Sequence, residues 1–64
     1  MTNSEHFELM IEGFEESLNG LERVAISCAA VGLIDTVKLL LLQKEDMIMS
    51  IKVLKDHITN EKGE

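Results

Sequence analysis

The stretch "VAISCAAVGLIDTVKLLLL", residues 24–42, most narrows what this chain can become. Its nineteen residues carry only two charges, Asp35 and Lys38, and ten of them are Val, Ile or Leu. Three structures accept such a segment: a membrane span, a buried pair of helix ends, or a surface that needs a partner. A span over about 21–42 has the length, since crossing takes about 20 mainly apolar residues. Ten aliphatic side chains contribute about 0.3–0.6 kcal/mol each at a helix centre, while Asp and Lys each cost about 2.5–3.5. These contributions nearly cancel, so membrane insertion is the weakest of the three readings. Gly32 and Asp35 read instead as a turn, Gly32 as a helix C′ residue and Asp35 as the next N-cap. The stretch then becomes the end of one helix and the start of another.

Periodicity supports that division. Phe7, Ile11, Phe14, Leu18, Leu21, Ala25 and Cys28 recur at alternating steps of four and three. This is a heptad seam, large at its beginning and small at its end. Thr2 with Glu5 fits a capping box at the start of the first helix. After the turn, Val37, Leu40, Leu41, Met47, Ile48, Ile51, Leu54 and Ile58 form a second stripe. There is no proline and no alternating strand pattern, so the fold class is all-α. The expected architecture is an antiparallel hairpin of two long helices, about 3–31 and 35–59, in a single domain spanning 1–64. A polar tail, 60–64, is expected to fray. One signal disagrees: Asn19-Gly20 is a common turn dipeptide, and a break there would give three helices. The heptad phase passes through Gly20 without a skip, which favours the continuous helix. Gly13 and Gly20 lie seven apart off the seam, on a face suited either to a second close packing or to mere tolerance.

Charge excludes some functions and leaves others. The net charge is −6, and the basic residues form no patch, which argues against direct binding of nucleic-acid phosphates. Residues 1–32 hold six Glu and one Arg, while 33–64 hold six acids and five Lys. An acidic first helix beside a lysine-bearing second helix favours their pairing modestly. Glu12, Glu15, Glu16 and Glu22 lack the Glu-x-x-His partner of a di-metal bundle and read as a solvated face. His6 and His57 fall near the open end of the hairpin, with 57 expected across from about 10. Cys28 is the single cysteine, which rules out an intrachain disulfide, and no basic neighbour activates it. The start "MTNSEHFE" has no basic region followed by an apolar run, and with one free Cys this points to a cytoplasmic setting. No phosphate loop, nucleophile set or metal-ligand spacing is present, so no cofactor, metal or catalytic residue is expected.

Apolar residues outside the seam carry the functional expectation. Leu39, Leu40, Leu41 and Leu42 are consecutive and project around more than a full turn, so one neighbouring helix cannot cover all four. Leu9, Met10, Val24, Ile26, Val31, Met49 and Val53 also fall off the stripes. A chain this short is marginal without a disulfide, a metal or self-association, and the last remains. The leading expectation is a non-enzymatic interaction module: a self-associating hairpin, a homodimeric four-helix bundle, acting on another protein as a small regulator, inhibitor, adaptor or co-chaperone. Its candidate interface residues are Phe7, Ile11, Phe14, Leu18, Leu21, Cys28, Leu39, Leu40, Leu41, Leu42, Met47, Ile48, Ile51, Leu54 and Ile58. Two alternatives stand beside it: an acidic nucleic-acid mimic that blocks a DNA- or RNA-binding protein, and the small membrane protein spanning about 21–42.

Overall fold

The computed structural model describes residues 2–62 and the side chains of 2–60. Helix α1 runs Asn3–Ala30 and helix α2 runs Ile34–Lys62. Thr2 caps α1 in extended backbone conformation. Its hydroxyl accepts the Glu5 amide at 3.2 Å, and the Glu5 carboxylate accepts the Thr2 amide at 3.4 Å, which is the expected capping box.

The turn is built by backbone hydrogen bonds. The Leu33 amide donates to the Cys28 carbonyl at 2.9 Å, and the Gly32 amide donates to the Ala29 carbonyl at 3.1 Å. This pair is a Schellman motif, and it requires a left-handed residue at Gly32, whose φ is +82°. Asp35 is not the N-cap of α2. The Leu33 carbonyl accepts the first helical bond, from Val37 at 3.1 Å, so Leu33 holds the cap position and Asp35 lies in the first turn. The Schellman geometry ends in Leu33, and the new helix starts two residues earlier than the capping preference suggests. Asp35 still favours the positive end of the helix dipole there.

Two alternatives fall away. The helix does not break at Asn19-Gly20: α1 is continuous, and among the described residues Gly32 alone has positive φ. Gly20 is therefore a helical residue, at a cost of about 1 kcal/mol relative to Ala. The span over 21–42 does not form either. The turn divides that segment between two antiparallel helices, and no helix among the described residues is long and apolar enough to cross a membrane. The expected end near 59 moves to Lys62, so 60–62 continue α2; positions 63 and 64 of the expected frayed tail lie outside the described residues.

The helices pack along one seam. On α1 it comprises Ser4, Phe7, Ile11, Phe14, Leu18, Leu21, Ala25 and Cys28, seven half-buried residues around the buried Ile11. On α2 it comprises Val37, Leu40, Lys44, Met47, Ile51, Leu54 and Ile58, with Ser50 beside it. The α1 register is the expected one. The α2 register differs, since Leu41 and Ile48 are 48% and 46% exposed, and Lys44 stands in the seam. The three-four spacing runs through position 44 whatever its charge. Its alkyl stem covers the seam while its ammonium reaches the Glu22 carboxylate at 3.3 Å. At the open end Phe7 stacks on His57, with ring centroids 5.6 Å apart, so position 57 lies across from 7 rather than 10.

Candidate interaction surface

Two helices side by side form a slab, with Cα extents of 50 × 17 × 10 Å. A slab one helix thick has a seam but no enclosed interior. Ile11 and Ile51, 7% and 9% exposed, are the whole of its buried apolar core among the described residues. Among the described residues thirteen large apolar side chains stay exposed, and eight of them fall between Val24 and Leu42. Ile26 and Val31 are more than 70% exposed. The turn end is thus apolar on several sides, as the composition of 24–42 requires.

The candidate residues divide between seam and surface. Phe7, Ile11, Phe14, Leu18, Leu21, Cys28, Leu40, Met47, Ile51, Leu54 and Ile58 line the seam between the chain's own helices. Of the four consecutive leucines, Leu40 is half-buried, while Leu39, Leu41 and Leu42 are exposed, together with Ile48. One neighbouring helix covers one leucine of four, as helical geometry demands.

The heptad register also sorts the rest of the surface, because positions flanking a seam alternate at steps of three and four. One broad face takes Met10, Gly13, Ser17, Gly20, Val24, Ser27 and Val31 from α1, and Leu39, Gln43, Asp46, Ser50, Val53 and His57 from α2. Asp46 is its one fixed charge among the described residues, with Arg23 at the rim. Shallow hollows open onto this face, one bounded by Met10, Phe14, Met49, Val53 and Leu54, another by Val24, Ser27, Cys28 and Val31 with Arg23 at its side. A Cβ added at Gly13 or Gly20 would meet nothing within 4 Å. The Ser50 hydroxyl is satisfied within its own helix, donating to the Asp46 carbonyl at 3.0 Å.

The opposite face is charged. From α1 it takes Glu5, Glu8, Glu12, Glu15 and Glu22; from α2 it takes Lys38, Glu45, Lys52 and Lys55. Its turn end is apolar, where Ile26 and Leu41 flank a hollow between the helices closed by Lys44. The acidic and basic ridges lie side by side here, and the Glu22–Lys44 pair joins them. Both partners are at least one-third exposed, so that pair contributes about 0–1 kcal/mol. Asp35 and Lys38, one turn apart, form no ion pair with each other.

Nothing in either face gathers chemistry. Among the described residues no polar or charged side chain is buried, and no group of three His, Cys, Asp or Glu is placed to hold a metal ion. Cys28 is a free, half-buried thiol on the seam. No protein-family model matches the chain, and no curated protein or solved structure matches it either.

The uncharged face is legible in the sequence as a register, not as an apolar run. Met10, Val24 and Val31 register there as scattered off-seam residues, and Gly13 and Gly20 as a separate pair. Reading every third and fourth residue from Met10 joins them into one uncharged stripe.

Proposed function

We propose that this chain is a non-enzymatic protein-interaction module. Its hairpin completes a core by pairing with a second copy, giving a dimeric four-helix bundle, and the assembled bundle acts by occupying a surface of another protein. That role is the work of a small regulator, inhibitor, adaptor or co-chaperone. The observation that carries the reading is the near absence of a core: among the described residues, two buried against thirteen exposed large apolar ones. A contiguous apolar surface of this kind marks an association site. The apolar turn end, with Ile26, Leu33, Ile34 and Leu42 exposed, supports a further contact beyond the dimer.

The nucleic-acid mimic has one observation in its favour, the row of glutamates on a single face of α1. Lysines from α2 share that face and neutralise much of the row, so this reading stays second. Loss of partner binding that steepens with salt is its signature.

Sedimentation equilibrium at micromolar concentration tests the leading reading. The expected mass is twice the chain's 7.2 kDa. A 7.2 kDa monomer that also melts cooperatively overturns it.

A further inference from the structure

We infer that the second copy seats on the uncharged face, which carries Met10, Ser17, Val24, Ser50 and Val53, and that the two copies meet there about a two-fold axis. This rests on the self-association proposed above and assigns it a surface.

Area sets the size of the contact. A compact monomer of 7.2 kDa exposes about 4,100 Å². This chain exposes 4882 Å², an excess of about 800 Å². One partner's share of a standard interface is also about 800 Å². Between Cα extremes a broad face of the slab measures 50 by 17 Å and an edge only 10 Å across, so the broad faces offer the larger contact.

Charge chooses between the two broad faces. A two-fold interface uses the same patch on both copies, so the patch must tolerate itself. Stacking the charged face would take its ridges of Glu and Lys out of water twice over, and desolvation of ion pairs offsets most of their attraction. The uncharged face has one carboxylate, the exposed Asp46, with Arg23 at its rim, against six glutamates and three lysines on the other face. Gly13, Ser17 and Gly20 leave room for a neighbouring helix to approach within the 8–10 Å of packed helices. Met10 and Met49 adapt to fill what remains. The hydroxyl of Ser50 needs no partner from the second copy.

Two matched variants of the full chain test the assignment. Ser17→Glu and Asn19→Glu place the same good helix former at exposed positions two residues apart, on the uncharged and charged faces respectively. Sedimentation is expected to show the Ser17→Glu dimer weakened about a hundredfold or more, because its new charge is buried unpaired. Asn19→Glu is expected to change the dissociation constant by less than about threefold. Hydroxyl-radical footprinting of the unmodified chain gives a reading free of mutational unfolding. On raising concentration through the dimer transition, Met10 should become protected while Ile48 stays reactive. A wild-type dimer that survives Ser17→Glu, or that protects Ile48 and not Met10, overturns the face while leaving self-association standing. A wild-type monomer at every concentration overturns both, and leaves the face to an unrelated partner.

Discussion

At the scale of single residues, the turn has one position well chosen and one that works against the fold. Gly32 holds φ at +82°, and a Cβ there would meet no atom within 4 Å. The cost of replacing it is therefore backbone strain alone. Gly32→Ala should lower folding stability by about 1–2 kcal/mol, the penalty of a left-handed L-residue, as read in a urea melt. Leu33 is the reverse case. It occupies the cap position of α2 with a side chain that accepts no hydrogen bond, and it is more than half exposed. Leu33→Ser should raise stability by about 1 kcal/mol in the same melt by capping a free amide of the first turn. An unchanged or lower midpoint would show that this leucine is covered by something the hairpin alone does not supply.

At the scale of the helices, most of the architecture can be read from the sequence, and the misreadings share one cause. The α1 seam, the capping box and the left-handed turn at Gly32 follow from patterns within one helix or one turn. The α2 register runs through Lys44 by spacing, whereas apolar identity points to Leu41 and Ile48. A long side chain with an apolar stem breaks the rule that seams avoid charge. Asp35 does not cap α2 because a favourable cap residue cannot override the geometry set by the preceding Schellman turn. The candidate site was half legible for the same reason: exposed leucines announce themselves, whereas a face defined by lacking charge does not. Lys44 therefore has a testable role. A polar group in a seam fixes register and lowers stability. With Leu21, Ala25 and Leu40, Lys44 lines a half-open, mainly apolar hollow of about 340 Å³. Lys44→Leu should stabilise the hairpin by about 1 kcal/mol, since the added apolar burial exceeds the loss of an exposed ion pair. A destabilised variant would show that the Glu22–Lys44 contact contributes more than its exposure implies.

At the scale of the whole molecule, shape and stability are the same question. The radius of gyration is 14.9 Å, against about 10.7 Å for a compact domain of this length. The rod exposes on both broad sides what a globular domain would fold inside. Fixing each residue's backbone costs about 1–2 kcal/mol, and two buried isoleucines along a single seam offset little of that. If the dimer supplies the missing burial, then folding and association form one equilibrium, and the melting temperature depends on concentration. Each tenfold increase in chain concentration stabilises a folded dimer by about 1.4 kcal/mol. Unfolding two such chains together releases roughly 0.27 kcal/mol per kelvin, at about 2.1 cal/mol/K per residue. The midpoint should therefore climb about 5 °C per tenfold rise in concentration, followed by circular dichroism at 222 nm from low to high micromolar. Ser17→Glu should melt lower and lose much of this slope within the same range, whereas Asn19→Glu should keep it. A midpoint that stays constant across a hundredfold range would mean that the hairpin holds itself together, and that its exposed leucines serve something other than its own folding.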